Sequence, residues 1–550
     1  MMVSNKLDND LLFLNRFVNA APHKDAIVDL SYTSKIVLSK GELDDLANRV
    51  AKGLIDRGVQ PGENVAYLLP NGWEFVVLTL AIWKIGAVAC PMLPALRERE
   101  IPFIMNRSRS RLLILPTSFH NFKYGPLIES VCSEIPGMEH FITVDSRDPK
   151  DLTRCLGGLA DQDPDFDELE RRRPGSDSPA QLLFTSGTTG EPKGVIHTHG
   201  TLSHGVSAHV EGLGLTSEDT LWIPSPMAHQ TGFLYGMIMA MYIGATQVCQ
   251  AEWNMAKARM AIEEHGATFV QAAMPFLADL TREERPPQGL RIFIATGAPV
   301  PRSLALEASE RLNCKVAGGW GSTESCMISV GSVKSYNESC WNSDGQIIAG
   351  REMKVTDEQG QTLPPGQEGL FKVKTPAMFT AYLDHPEWYE AAVDEEGFFN
   401  TGDLAIIDGA GNLHLTGRVK DIINRGGIKI PVAEIENLLY QMEDLRDVAV
   451  VGMPCPRLNE RICVYATLNN MDCHVAIEDL TSFLKDKGVT KIYWPERLET
   501  LQEMPRTTTG KIQKYVLRQM IADKLKADEK TATQAGRGQS QDISVVLETM

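Results

Sequence analysis

Apolar positions along the chain follow a helical period and a strand-like run by turns. KGELDDLANRVAKGLIDRG, Lys40 to Gly58, spaces its apolar residues three and four apart, which predicts a helix with one buried face that stops at Gly58. NVAYLLP, from Asn64, reads as a short buried strand, and WEFVVLTLAIWKIG, from Trp73, as the next helix. The same order recurs in ARMAIEEHG then ATFVQAAMP (Ala258 to Pro275) and in RSLALEASERLN then CKVAGGWG (Arg302 to Gly321). Helices alternating with buried strands predict an α/β fold with largely parallel sheets. No fixed-period repeat is present.

The pattern changes near residue 350. REMKVTDEQGQTLPPGQEGLFKV, from Arg351, has the short strands and Pro/Gly turns of a small β subdomain. Beyond GRVKDIINRGG a helix is expected to begin near Val432, followed by DVAVVGMP and RICVYATL as strands. These suit a compact C-terminal α+β domain. The segment 526–550 is polar and reads as a disordered tail.

Composition narrows the function classes. At 550 residues the chain is long enough for more than one domain, and 43% hydrophobic with 23% charged residues is ordinary globular usage. A net charge of -17 with no basic run argues against a nucleic-acid partner, whose binding would rest on neutralising phosphates. Ten cysteines without a C-x-x-C pair suggest reduced thiols and a cytoplasmic location. The N-terminus lacks the basic-then-apolar order of a secretory signal. The most apolar window, Phe75 to Leu93, is interrupted by Lys84, Gly86 and Pro91, so a buried helix followed by a strand is expected rather than a transmembrane segment.

The candidate chemistry starts at LLFTSGTTGEPKGVIHTHG, Leu182 to Gly200. Thr185, Ser186, Gly187, Thr188, Thr189, Gly190 and Lys193 bring hydroxyls, glycines and a cation within nine residues. Glycine-rich backbone can turn its N–H groups onto an anion, so these residues suit a phosphate. A polar turn between two strands is the other reading of the same residues. The spacing excludes a Walker A loop, because Glu191 and Pro192 separate Gly190 from Lys193.

TSGTTGEPKG strongly resembles the phosphate loop of the adenylate-forming superfamily, which includes acyl-CoA synthetases, peptide-synthetase adenylation domains and beetle luciferases. The superfamily's further motifs follow in its order: TGAP (Thr296 to Pro299), GWGSTE (Gly319 to Glu324), NTGDLA (Asn400 to Ala405), GRVKD (Gly417 to Asp421) and PRTTTGK (Pro505 to Lys511). The resemblance implies a large N-terminal domain, 1–419, of two α/β subdomains plus a β subdomain. A small mobile C-terminal α+β domain, 420–525, would turn about Lys420.

The resemblance also implies roles. The loop would hold the β- and γ-phosphates of ATP, Gly297, Ala298 and Pro299 would line the adenine, and Gly319, Trp320, Gly321 and Ser322 would frame it. Trp320 stands where the family usually has Tyr; a core Trp is the alternative. Thr323 would donate to the α-phosphate, Glu324 would bind Mg²⁺, Asp403 would hold the ribose, and Arg418 belongs to the hinge motif. Lys511 would meet the carboxylate and α-phosphate during adenylation. Gly426 and Gly427, in NRGGIKI, would let backbone pass a pantetheine arm. Ile428 and Lys429 depart from the GGENI of many relatives. His229 corresponds to a residue at the mouth of the acyl pocket, either gating or structural. His197 and His199 have metal-like spacing on an expected strand, but two ligands without a third make a weak site, so they are expected to be structural.

The implied reaction is acyl-adenylate formation from an acid and ATP, then transfer to coenzyme A. The resemblance places the acyl pocket near Ser225 to Gly236, Gln271 to Phe276 and Ala317 to Gly321; the first of these holds no acidic residue, and a buried unpaired ammonium is costly, so α-amino acids are disfavoured. PMAHQTGFLYG most resembles short-chain fatty-acid and cyclohexanecarboxylate CoA ligases, which implies a short-chain, medium-chain or alicyclic acid. The rival is a stand-alone enzyme that loads a separate carrier protein. A non-catalytic nucleotide sensor is disfavoured by the retained Lys193, Glu324, Asp403, Arg418 and Lys511.

Overall fold

The computed structural model describes residues 17–528, apart from 20, 33, 146–151, 186–191, 298–300, 426–427, 431, 471–473 and 508–510. The chain divides into a larger unit, Met1–Thr401 with Ile406–His414, and a smaller one, Gly402–Ala405 with Leu415–Met550.

The larger unit contains two large sheets. In the nine-stranded sheet, Asp25–Asp29, Thr246–Cys249, Thr220–Ile223, Phe269–Ala272, Ile292–Ala295 and Lys315–Ser322 run parallel side by side. Antiparallel strands close both edges, Ile36–Ser39 at one and Cys326–Val330 with Gln346–Ile347 at the other. The seven-stranded sheet has a parallel run of Pro179–Thr185, Val88–Pro91, Asn64–Tyr67, Leu112–Pro116 and His140–Val144. Lys193–Thr198 and Ala381–Tyr382 add antiparallel strands to it. Glu352–Thr356 and Glu368–Lys374 pair as the expected antiparallel β piece.

Local chemistry explains the helices. Ser39 caps Lys40–Asp56 by accepting the Glu42 N–H, and the Glu42 carboxylate returns a bond to the Ser39 N–H. Gly58, at φ 80°, closes it. Trp73–Lys84 is buried on every face from Trp73 to Trp83, and Val88–Pro91 follows as a strand. The membrane-like window is therefore a central helix and strand, and no described helix is long and apolar enough to cross a membrane. Each large apolar side chain so buried contributes about 1.5–3 kcal/mol. The largest core spans the space between the sheets, taking Ile27, Leu221 and Phe269 from one and Val65, Tyr67 and Ile114 from the other.

Two expectations need correction. ARMAIEEHG is not one regular helix: Met255–Arg259 is α-helical and Met260–Glu264 widens to a π-turn. His197 and His199 are not both on a strand. The strand ends at Thr198, whose hydroxyl caps the helix His199–Leu213.

The smaller unit is α+β. Ile428–Ile430, Ile423–Arg425, Asn459–Leu468 and Leu445–Cys455 form an antiparallel sheet, and Arg497–Thr500 joins it in parallel. The helices Val432–Leu439 and Ile477–Asp486 pack onto it, burying Ile435, Leu439, Leu480 and Leu484 in one core. A last helix runs over 514–528. The rest of the expected tail lies outside the described residues.

Candidate active site

The phosphate-loop candidate is anchored by strand register. Thr185 ends one strand, Lys193 begins the next, and the two are paired directly across the antiparallel ladder. A strand stands on each side of the segment, unlike the strand and helix that flank a Walker A loop. Ser186, Gly187, Thr188, Thr189 and Gly190 lie outside the described residues. The Lys193 ammonium sits 4.6 Å from the Tyr382 ring centroid and 5.0 Å from that of Trp388. None of the described carboxylates pairs with it. An aromatic face attracts a cation without neutralising it, which leaves this charge available to an anion.

The same Tyr382 reaches the metal candidate. Its hydroxyl donates to Glu324 Oε1 at 3.0 Å, while the Glu324 carbonyl accepts the Phe379 N–H at 2.7 Å. Burial, and then the Glu324 charge, push the phenol well above its ordinary pKa, so it stays a donor. A half-buried carboxylate with one oxygen fixed by a neutral donor is a hard oxygen ligand, which fits Mg²⁺.

Gly319, Trp320, Gly321 and Ser322 lie on Lys315–Ser322, and Thr323 and Glu324 form the turn into Cys326–Val330. A Cβ on Gly321 would stand 2.6 Å from the Cys326 carbonyl oxygen, so glycine is needed for the strands to approach. Trp320 is buried and meets Phe371 edge-on, with centroids 4.9 Å apart. His197 Nε2 donates to the Thr323 carbonyl at 2.7 Å, and its Nδ1 lies 3.0 Å from Thr201 Oγ1. Burial drops the His197 pKa to about 4, so the ring is neutral.

Thr296 is buried with its hydroxyl unpartnered among the described residues, an orphan donor beside the proposed adenine segment. Gly297 takes φ 91°; Ala298 and Pro299 lie outside the described residues. His229 caps the helical turn Gln230–Gly232, its Nδ1 accepting the Thr231 N–H at 3.4 Å. The chain then widens into a π-helix, Phe233–Ile238. Gly232 permits this packing, since a Cβ there would lie 2.3 Å from the Pro226 carbonyl oxygen. Sequence periodicity gave no sign of the π-turn. Among the described residues no three His, Cys, Asp or Glu side chains form a metal cluster.

In the smaller unit Arg418 Nε meets Asp403 Oδ1 at 2.9 Å, with Asp403 buried and Arg418 half exposed. The hinge candidate Lys420 lies in the short turn Val419–Asp421. Gly426 and Gly427 lie outside the described residues, between the paired Arg425 and Ile428. Lys511 closes its loop by two reciprocal bonds with Thr507: its N–H donates to the hydroxyl at 3.1 Å, and its carbonyl accepts the Thr507 N–H at 2.8 Å.

Comparison with known proteins decides the family. The AMP-binding enzyme family matches residues 14–383, and the AMP-binding enzyme C-terminal domain matches 434–511. The chain belongs to the AMP-binding enzyme family. A medium-chain fatty-acid–CoA ligase of Escherichia coli K12 is 35% identical over 92% of this chain and 90% of its own. A salicyl-AMP ligase / salicyl-S-ArCP synthetase of Mycobacterium tuberculosis H37Rv is 29% identical over 87% and 85%. The structure of ATP-bound MatB from Rhodopseudomonas palustris superposes with a TM-score of 0.81 at 26% identity, over 94% of this chain and 99% of that one. The α/β fold with a smaller C-terminal domain is the adenylate-forming fold, and this family member is an ATP-dependent, AMP-forming enzyme. Its residues Lys193, Glu324 and Thr296 fit ATP and Mg²⁺ on the geometry above. Tyr382, Trp388 and His197 were not identified as site residues from sequence. Their only sequence trace is the aromatic run YLDHPEWY and the doubled histidine of HTH.

Proposed function

We propose that this AMP-forming acid–CoA ligase activates a short-chain, medium-chain or alicyclic carboxylic acid and passes the acyl group to free coenzyme A. The observation that carries the reading is the unit formed by Lys193, Tyr382 and Glu324. One phenol sits beneath the phosphate-loop cation and bonds the metal-binding carboxylate, as a site for a magnesium nucleotide requires.

The first step joins two anions, so the protein must offset their repulsion and the charge developing at phosphorus. Lys193 and the loop hydroxyls and N–H groups hold the β- and γ-phosphates. Glu324 holds Mg²⁺, which when bound neutralises phosphate charge. Thr323 donates to the α-phosphate, Trp320 offers its face to the base, and Asp403 accepts the ribose hydroxyls, a task for a carboxylate already fixed by Arg418. Lys511 brings a point charge on a flexible stem to the carboxylate and α-phosphate. The acid attacks phosphorus, pyrophosphate leaves, and the CoA thiolate then displaces AMP from the acyl carbon. We place the domain boundary at Lys420, with a rotation there between the two half-reactions, and the enzyme in the cytoplasm. All cysteines among the described residues are free thiols, in keeping with a reducing compartment.

The acyl segments supply an apolar wall: Met227, Phe233, Leu234 and Ala272 are buried, and no carboxylate stands between Ser225 and Gly236 to pair an ammonium. The medium-chain relative agrees with that wall. The carrier-protein alternative is kept by the salicyl-S-ArCP synthetase relative. Incubation with ATP·Mg²⁺, each acid of a panel and free CoA, with thioester read by mass spectrometry, tests the reading. Acyl-CoA from aliphatic or alicyclic acids is expected; adenylate without thioester would transfer the enzyme to a carrier-protein pathway.

A further inference from the structure

A buried polar cluster that a plain hydrocarbon chain does not need includes residues of the candidate acyl segments. Arg351 is buried at 7% exposure. Its Nη2 donates to the carbonyls of His204 and Gly205 at 3.1 and 3.2 Å, while Nη1 has no partner among the described residues. None of the described carboxylates pairs with it. A guanidinium taken out of water without a counter-charge is costly and is normally retained only where something meets it.

The residues packed around it lead to the acyl segments. Gly205 abuts Cys326 and Leu234, since a Cβ on it would stand 3.3 Å from the Cys326 sulfur and 2.9 Å from Leu234 Cδ2. Gln230 Nε2 lies 3.9 Å from the same sulfur, and Gln230 Oε1 is unpartnered among the described residues. Tyr235 accepts the Met327 N–H at 2.6 Å and meets the His209 ring edge-on at 5.4 Å. His209 Nε2 donates to Gln271 Oε1 at 2.9 Å, leaving Gln271 Nε2 unpartnered among the described residues. Gln230 and Gln271 are each at least nine-tenths buried. Burial keeps His209 neutral, and it keeps the Tyr235 phenol and Cys326 thiol protonated, so Arg351 is the one charge in the cluster.

We propose that Arg351, Gln271 and Gln230 form the far end of the acyl site and select an acid that carries a second oxygen acceptor, best a carboxylate, remote from the carboxylate that reacts. The apolar wall takes the methylenes between, the free guanidinium N–H and the Gln271 amide donate to the distal oxygens, and the negative end supplies the missing counter-charge. This deepens the functional reading and rests on it only in taking residues 225–236 and 271–276 as the acyl site. Arg351 acts here as a specificity residue; the chemistry at phosphorus is unchanged.

The test compares matched acids of four, six and eight carbons that end in methyl, hydroxyl or carboxylate. Acid-dependent ATP–pyrophosphate exchange and acyl-CoA formation are both read, for the wild type and Arg351→Met. Sites built to bond a substrate oxygen reject the analogue that lacks it, so at one chain length the oxygenated acid should exceed its methyl partner by at least about tenfold in kcat/KM. Arg351→Met should abolish that preference while leaving KM for ATP and turnover of the methyl acid in place. If the variant does not fold by thermal melting, Gln271→Leu is read the same way. Methyl acids that match or exceed their oxygenated partners at every length in the wild type would overturn the proposal, as would a variant that loses all acids equally. Exchange with an oxygenated acid but no thioester would refute the CoA acceptor and support the inference. Exchange with no acid at all would overturn both.

Discussion

The imidazole of His197 donates to the carbonyl oxygen of Thr323 across 2.7 Å. This bond ties the strand that carries Lys193 to the turn that carries Glu324, 126 positions apart in the chain. It fixes the backbone from which Thr323, the proposed α-phosphate donor, and Glu324, the proposed metal ligand, project. His197→Phe leaves a buried carbonyl unsatisfied, at about 1–3 kcal/mol, and frees the turn to shift. Adenylation, read by pyrophosphate exchange, should fall by roughly ten- to a hundredfold, while thioester formation from supplied acyl-AMP should change little. An equal loss in both half-reactions would show that His197 only supports the fold.

Tyr382→Phe separates the two duties of its side chain. The ring beneath Lys193 remains and the bond to Glu324 goes. The Mg²⁺ concentration for half-maximal exchange, and for ATP binding by calorimetry, should rise several-fold, with KM for the acid unmoved. Trp388→Leu, which removes part of the lysine's aromatic seat, should act instead on the affinity for ATP. Identical Mg²⁺ titrations for wild type and Tyr382→Phe would remove the phenol from the metal site.

Lys511→Ala should abolish adenylation and leave thioester formation from supplied acyl-AMP largely intact. In the proposed role its charge serves the step where two anions meet and not the step where a thiolate meets a neutral acyl carbon. Loss of both steps to the same degree would contradict the assigned role.

Stability should fall on the acid side. His197, His199 and His209 each have their pKa lowered to about 4 by burial, so the folded protein resists protons that the unfolded chain accepts from about 6.5 downward. Their contribution is complete above that range and declines as pH drops toward 4. At roughly 3 kcal/mol each, the three together match the whole stability of a typical domain. The melting temperature should drop steeply below pH 6. His199→Phe, which keeps an aromatic ring against Trp83, should make that drop shallower. A melting temperature level from pH 7 to pH 5 would contradict this.

Much of the fold was legible because its elements are long and periodic. Lys40–Asp56 and Trp73–Lys84 lie where apolar spacing placed them, and the alternation gave parallel sheets. The π-turns at Met260–Glu264 and Phe233–Ile238 were not legible, because a five-residue bond pattern leaves apolar spacing almost unchanged. Thr185, Lys193, Thr323 and Glu324 were singled out through short motifs that keep chemistry and spacing together. Tyr382, Trp388, His197 and Arg351 were not, because each reaches its partner across strand pairing or helix packing that no local pattern encodes. Arg351 reads in sequence as an ordinary charge at the start of a strand; only its burial without a carboxylate sets it apart.

In the proposed first half-reaction a carboxylate oxygen attacks the α-phosphorus. The most direct measurement supplies an acid labelled with ¹⁸O in its carboxylate, together with ATP·Mg²⁺ and CoA, and weighs the nucleotide product. One labelled oxygen in AMP, with pyrophosphate and acyl-CoA formed in equal amount, is the expected result. Unlabelled AMP, or label in inorganic phosphate beside ADP, would contradict carboxylate attack at the α-phosphorus.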